Sequence, residues 1–191
     1  MLTRPTLLKK LKSKYDQDAW DEFYSNYSRY VGAVLKSLHV NVDDIDDLVQ
    51  KVMVICWEKI PEFEYDKSGG LFRSWLVRIT KNVVMNYFSS SQRTSRKNKA
   101  FSEHQLSMSD DQVDSNAEKE WRIHISKLAW ENIKDNYQEN AQQVYELVTK
   151  GMKNKEIAET LDLTANAVGV FKNRITDAMK AEIIHLNHFL S

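Results

Sequence analysis

Apolar side chains recur at helical spacing along much of this chain, and this periodicity is the strongest constraint on its fold. Three such stripes lie in the first half of the sequence, and each places its apolar residues on one face of an α-helix. The chain has only 5 Gly and 2 Pro among 191 residues, which is few for the many turns of an all-β protein. The sequence therefore predicts an all-α fold.

The three stripes predict three amphipathic helices that bury their apolar faces together in one small bundle. The second stripe runs from Ile45 to Ile60 and ends at Pro61, and the third runs from Phe72 to Val83. The inward positions of the first stripe are Trp20, Phe23, Tyr24, Tyr27, Val31, Val34, Leu35 and Leu38.

The helical pattern is lost from Ser89 to Glu120, where Ser, Asn, Gln and charged residues dominate. We predict a flexible acidic linker over residues 93–120, because a long irregular segment is unusual inside a compact domain. This division gives an N-terminal helical domain, residues 1–92, and a C-terminal helical domain, residues 121–191, in which periodicity returns at Trp121.

Several classes of protein are not expected. No run of about 18 apolar residues predicts a membrane span, and residues 1–15 lack the apolar core and cleavage site of a signal peptide. The single Cys56 cannot form an internal disulfide and is interpreted as a buried thiol, so we expect a cytoplasmic protein.

The chemistry-bearing motifs of enzymes are also missing from the sequence. It contains no Gly-rich phosphate loop, paired catalytic carboxylates or nucleophile signature. One Cys and 5 scattered His do not form a zinc-type cluster. We therefore expect no catalytic residue, no metal and no cofactor.

A helix over about residues 140–150 is expected to end at Gly151 in a left-handed conformation. After it, residues 154–180 have the pattern of a helix-turn-helix. Asn154 and Thr164 suit the starts of two helices, Asp162–Leu163 connects them, and the small Ala158 allows a close crossing. An ordinary helical hairpin is the alternative, but the two caps and the turn agree with a motif that enters the major groove of DNA. The polar residues expected to contact DNA are Lys155, Thr164, Asn166, Lys172, Asn173 and Arg174.

A second nucleic-acid signal is the segment from Leu71 to Ala100, which has no Asp or Glu although the chain balances 27 acidic against 27 basic residues. Cations neutralise phosphates and aromatic rings stack on bases, so a basic, aromatic helix suits a separated strand. The preceding loop, which contains Tyr65 and Ser68, could hold an unstacked base. The candidates on the helix are Arg73, Trp75, Arg78, Lys81, Asn82 and Asn86, with Tyr87 as a second aromatic residue.

These candidates have simpler interpretations as well. Trp75 lies on the apolar stripe and fits the core, while Arg78 and Lys81 fit a solvated face. Gly169, inside the second helix of the helix-turn-helix, either allows close approach to DNA or has no role.

The segment FEYDKSGGLFRSWLVRITKN is preceded by DDIDDLVQKVMVICWEKIPEF and followed by the helix-turn-helix. In this order the motifs closely resemble bacterial sigma factors of the extracytoplasmic-function (ECF) group of the sigma-70 family, over nearly the whole chain. The resemblance implies a non-enzymatic factor that binds core RNA polymerase, recognises the minus-ten and minus-thirty-five promoter elements, and promotes transcription initiation.

The resemblance also implies roles for particular residues. The clamp helices of the polymerase would be bound by an acidic helix that contains Asp44, Asp47, Leu48, Gln50 and Lys51. The loop with Tyr65 and Ser68 and the helix after it would open the minus-ten element and hold its non-template strand. The helix-turn-helix would bind the minus-thirty-five element and touch the polymerase flap.

The acidic linker residues Asp110, Asp111, Asp114, Glu118 and Glu120 suit the cationic active-site cleft of the polymerase, through which the linker of this family runs. A plain solvated tether is the alternative. An anti-sigma protein often holds the two domains of such factors together, so it is a further expected partner.

Departures from the family pattern concern base preference and strand melting rather than architecture. Lys67 stands where members often have Pro, Gly69 stands where they often have a basic residue, and the helix ends in the neutral NVVMNYFSSSQR. A free-standing regulator that binds palindromic DNA is the main alternative function, but the acidic helix and the aromatic, basic helix favour the sigma factor.

Overall fold

The structure, a computed structural model, describes residues 4–12, 16–63, 72–94 and 109–190. All regular secondary structure in these ranges is helical, so the all-α prediction is confirmed. The chain divides into a first unit, Met1–His124 with Phe189–Ser191, and a second unit, Ile125–His188. Among the helices of the described ranges, none has both the length and the apolar character needed to cross a membrane.

Within the described residues, the first unit contains four helices and the beginning of a fifth. Asp16 starts the second of them, since its carboxylate accepts a hydrogen bond from the Ala19 amide at 3.1 Å. Short 3₁₀ turns at Val42–Asp44 and Ile60–Glu62 flank the third. The helices are α1 (Arg4–Leu11), α2 (Gln17–Ser37), α3 (Ile45–Lys59), α4 (Phe72–Thr94) and α5 (Asp110–Ile133).

The predicted apolar stripes form the core of this unit, and Tyr24 is their one exposed member. Phe23 on α2, Val52 on α3 and Leu76 on α4 are all buried. Tyr24, which we placed on the first stripe, is 49% exposed. Adjacent helical residues point about 100° apart, so a helix that buries Phe23 turns Tyr24 toward solvent.

Two elements were not predicted. α1 buries Leu7, Leu8 and Leu11. α5 begins at Asp110, so the prediction of a flexible linker is wrong for residues 110–120. The few apolar residues of this acidic segment are spaced four apart and form one buried stripe, Val113, Ala117 and Trp121. Residues 95–108 lie outside the described ranges, and the boundaries of the two domains stay a prediction.

The second unit contains the rest of α5, α6 (Glu139–Thr149), α7 (Asn154–Thr160) and α8 (Ala165–Leu190) as far as His188. Gly151 ends α6 with φ of 84°, as the sequence predicted. The Gly151 and Met152 amides bond back to the carbonyls of Val148 at 2.9 Å and Leu147 at 3.1 Å. This pairing satisfies carbonyls that the last turn of a helix leaves open.

Gly151 and Gly169 provide a matched test of backbone conformation. A Cβ added at either position meets no atom within 4 Å, but only Gly151 has a positive φ. We expect Gly151→Ala to destabilise the fold by about 1–2 kcal/mol and Gly169→Ala to stabilise it by about 0.5–1 kcal/mol. Urea unfolding of both variants measures this, and a shift of the same sign for both would contradict the conformational explanation.

Candidate nucleic-acid interface

The helix-turn-helix is built on a small apolar core between α6, α7 and α8. Val144, Ile157 and Val168 are fully buried, and Leu163 packs against them from the turn. Ala158 is also buried, which is consistent with a close approach of the helices. The cluster orients α8 by packing along its inward face, so the opposite face of that helix is left to solvent.

The turn between α7 and α8 has the geometry that the sequence predicted. Asp162 adopts a left-handed φ of 51°, and the Leu163 amide donates to the Ala158 carbonyl at 2.9 Å. The Thr164 hydroxyl accepts from the Ala167 amide at 3.1 Å and thereby caps α8. At the start of α7, the sequence predicted the capping residue one position too late.

The residue that precedes α7 is Lys153, and Asn154 is already helical. The Lys153 amide donates to the Glu156 carboxylate at 2.9 Å, so Glu156, rather than Asn154, satisfies the open end of this helix.

The predicted DNA-contacting residues of this motif are solvent-accessible. Those on α8 surround the buried positions Val168 and Ile175 without interrupting them. The exposed members of the set are Lys155, Thr164, Asn166, Lys172, Asn173 and Arg174. Their contacts with DNA stay a prediction.

The second candidate surface is one face of α4. Arg78, Asn82 and Asn86 are exposed and spaced four residues apart, so their side chains lie in one row. Lys81 is half-buried beside this row. Tyr65 and Ser68 fall outside the described residues. The row provides one cation, which suits a phosphate, and two amides, which suit base edges.

Trp75 lies at the beginning of this row. It has features of both roles considered for it, a core residue and a ring that stacks on a base. Its ring packs against those of Phe63 at 5.0 Å and Phe72 at 5.2 Å between centroids. The side chain is nevertheless only half-buried. An indole held by two rings with part of its surface open is a suitable stacking platform for a base.

Arg73, near the beginning of α4, is paired within the chain. Its Nη2 lies 2.7 Å from Glu118 Oε2, and its side chain is 19% exposed. Its guanidinium also lies over the Trp121 ring, 5.3 Å from the centroid. Arg73 is therefore covered by α5, which the sequence did not predict.

Four of the five predicted polymerase-binding residues, all except Asp44, line a groove between α3 and α4. The groove has a volume of about 810 Å³, and Asp47, Gln50 and Lys51 line it together with Asn86. Leu48 is 3% exposed and belongs to the core, so its side chain is not available to a partner.

Val54 was missed, although it is 54% exposed and lines the same groove. An apolar residue off the buried stripe of α3 was the signal that could have identified it.

Asp44, in the turn before α3, is hydrogen-bonded to Tyr87 on the α4 side of this groove. Its carboxylate accepts a hydrogen bond from the Tyr87 hydroxyl at 2.6 Å. Burial and this hydrogen bond raise the pKa of Tyr87 to about 12, since both disfavour the phenolate. The Tyr87 phenol is therefore protonated at neutral pH, and its hydrogen bond connects α4 to the turn before α3.

The thiol of Cys56 lies in the core, as the sequence predicted. Cys56 is fully buried, and burial raises the pKa of its thiol to about 12, so it is protonated at neutral pH. Within the described ranges, no group of three or more His, Cys, Asp or Glu could hold a metal ion.

Comparison with known proteins gives two family matches at separate positions. Residues 23–94 match the family model for sigma-70 region 2. Residues 140–184 match the model for bacterial regulatory proteins of the luxR family. The first match contains α4 and the groove, and the second contains the helix-turn-helix.

A curated relative is the RNA polymerase sigma factor NccH of Alcaligenes xylosoxydans xylosoxydans, which is 33% identical over 69 residues. The match covers 36% of this chain and 36% of the relative. Among solved structures, CnrH in complex with the cytosolic domain of CnrY is 20% identical over 97% of each chain. The TM-score is 0.37.

The bond between Tyr87 and Asp44 can be tested by removing one hydroxyl. We expect Tyr87→Phe to lower the free energy of unfolding at pH 7 by about 1 kcal/mol, since a partly exposed hydrogen bond has this strength. Tyr24→Phe on the exposed face of α2 is the control, with an expected change below about 0.5 kcal/mol.

The difference in stability between wild type and Tyr87→Phe should also depend on pH. The folded-state pKa of Tyr87, about 12, lies above the ordinary tyrosine value of about 10. The stabilisation is then complete below pH 10 and is lost as the pH rises toward 12. Urea unfolding across this range measures it, and a difference that grows with pH would contradict the assignment.

Proposed function

We propose that this chain, which belongs to the ECF group of the sigma-70 family, is the promoter-specificity subunit of a bacterial RNA polymerase. The observation that carries the proposal is a pair of polar faces on separate helices. One is the Arg78–Asn86 row on α4, within the region 2 match, and the other is the exposed face of α8, within the helix-turn-helix. A factor that recognises two promoter elements needs two such faces.

In this proposal α4 holds the non-template strand of the minus-ten element. Arg78 and Lys81 neutralise phosphates, while Asn82 and Asn86 offer amides to base edges. Trp75 provides a ring against which an unstacked base can lie. Tyr65 and Ser68 are proposed to border the pocket of a flipped base, as the family resemblance implies.

The helix-turn-helix is proposed to recognise the minus-thirty-five element as a duplex. Asn166, Lys172, Asn173 and Arg174 face solvent on α8, as a helix that enters the major groove requires. Asn suits adenine and Arg suits guanine or phosphate. Lys155 on α7 is placed for a backbone contact, and the same unit would touch the polymerase flap.

The clamp helices of the polymerase are proposed to bind at the groove between α3 and α4. Asp47, Gln50 and Lys51 provide polar contacts and Val54 provides an exposed apolar one. The chain itself performs no catalysis: it stabilises the opened promoter while the polymerase does the chemistry. It would act where the polymerase is, in the cytoplasm, and an anti-sigma protein is a further proposed partner.

The experiment that tests this function is run-off transcription with sigma-free bacterial core polymerase on a randomised promoter library, with and without the chain. We expect chain-dependent transcripts whose promoters share two spaced elements, and co-elution of the chain with core polymerase. Absence of both transcripts and co-elution would favour a free-standing regulator.

A single substitution then tests the role of α8. We expect Arg174→Ala to weaken binding of the reconstituted polymerase to a selected promoter by about 5- to 150-fold, the range for losing one base contact of 1–3 kcal/mol. Lys180→Ala on the same helix, whose ammonium lies 3.7 Å from Asp177, is the control with little expected effect. Equal losses for both variants would contradict base recognition by Arg174.

A further inference from the structure

We propose that Val170 on α8 recognises an A·T base pair in the minus-thirty-five element, through contact of its methyl groups with the C5-methyl group of the thymine. This inference rests on the proposed function, because it names a base that the DNA-facing side of α8 selects. The residues predicted from the sequence to contact DNA on this helix are all polar, and Val170 is not among them.

Val170 lies on the side of α8 that faces away from the core. The buried residues Ile175 and Met179 lie within about 20° of Val168 around the helix axis. Each helical residue turns by about 100°, so Val170 lies about 160° away from Val168. Its side chain is 44% exposed. Packing within the second unit therefore does not explain why this position is apolar.

Two amides flank Val170 along this outward side of the helix. Asn166 lies one turn before it and Asn173 one turn after it, and both are exposed. The three side chains form a row in the first three turns of α8, and the N-terminal part of a recognition helix is the part that contacts base edges. Val170 therefore places apolar surface where the edge of a base pair would lie.

The charges of α8 limit the DNA-facing stretch to the part that contains Val170. Residues 163–176 contain no Asp or Glu, and Lys172 and Arg174 are exposed among them. The next residue of the outward row is the exposed Asp177, whose carboxylate would repel a phosphate. A duplex is therefore expected to meet α8 before Asp177, beside Val170.

The chemistry of the major groove identifies the base that suits this side chain. Among the four bases of DNA, only thymine presents a methyl group in that groove. Contact between this methyl group and Val170 removes apolar surface of both from water. The neighbouring Asn166 and Asn173 suit adenine, the base that pairs with thymine. The row therefore favours an element that contains A·T pairs over one made of G·C pairs only.

The test uses a promoter selected by the reconstituted polymerase, in which each thymine of the minus-thirty-five element, on either strand, is replaced in turn by deoxyuridine. Deoxyuridine pairs as thymine does and lacks only the C5-methyl group. We expect one replacement to weaken binding of the wild type by about three- to five-fold, the effect of leaving one methyl group in water. Val170→Ala should weaken binding to the unmodified promoter by a similar factor, and the two losses should not add.

Two features separate this contact from a loss of folding. Ala has a higher helix propensity than Val, so Val170→Ala does not weaken α8 itself. Ile184→Ala is the matched control, because Ile184 is 72% exposed on the same side of α8 but lies beyond Asp177. This variant should keep the affinity of the wild type and its sensitivity to deoxyuridine.

Three results would overturn the inference. The first is a loss for Val170→Ala that adds in full to the loss at every replaced thymine, which would assign Val170 to another contact, such as a protein surface. The second is the absence of any thymine whose methyl group affects binding. The third is a selected element that has no A·T pair at a fixed position.

The outcome can be separated from that of the sigma-factor proposal. If transcripts form but no methyl effect depends on Val170, the inference fails and the proposed function stands. If no transcripts form, duplexes selected by the chain alone replace the promoter, and a methyl effect that depends on Val170 there supports the contact in a free-standing regulator. If the chain selects no duplex in either setting, both proposals fail.

Discussion

The packing of the Phe72 ring is the contact on which the position of α4 depends. Phe72 is the first residue of α4 and is fully buried. Its ring lies 5.9 Å from Phe23, 5.4 Å from Tyr27 and 5.5 Å from Phe63, in each case edge-on. Each such pair adds about 0.5–1.5 kcal/mol beyond the burial of area. The beginning of α4 is thereby fixed on α2, and Arg73 and Trp75 take their positions from it.

The features that the sequence predicted well depend on residues close together in the chain. Gly151, Asp162 and Thr164 set the turns and the cap of the helix-turn-helix by chemistry within a few residues, and the structure has them as expected. The apolar stripes of α2, α3 and α4 were found because each is long and regular. Local signals of this kind need no knowledge of the partner helix.

What the sequence did not predict depends on contacts far apart in the chain. The first part of α5 has few apolar residues and many charges, so its composition resembles a linker. It is a helix because the Trp121 ring packs against Tyr30 and the Ala117 carbonyl accepts a hydrogen bond from the Tyr30 hydroxyl. Tyr30 is far away in the sequence, so no local pattern predicts these contacts. For the same reason, the sequence placed Arg73 on an open surface.

A net charge of zero acquires a structural meaning from this arrangement. Part of the positive charge of α4 is neutralised within the chain, because Arg73 pairs with Glu118 on the inward side of that helix. In the proposed function, the α4 cations that remain for a DNA strand are Arg78 and Lys81, which lie on and beside the exposed row. So small a charge predicts weak binding of DNA by the chain itself. The proposal therefore requires a second contact, such as the proposed one with a polymerase, to hold the chain beside the promoter.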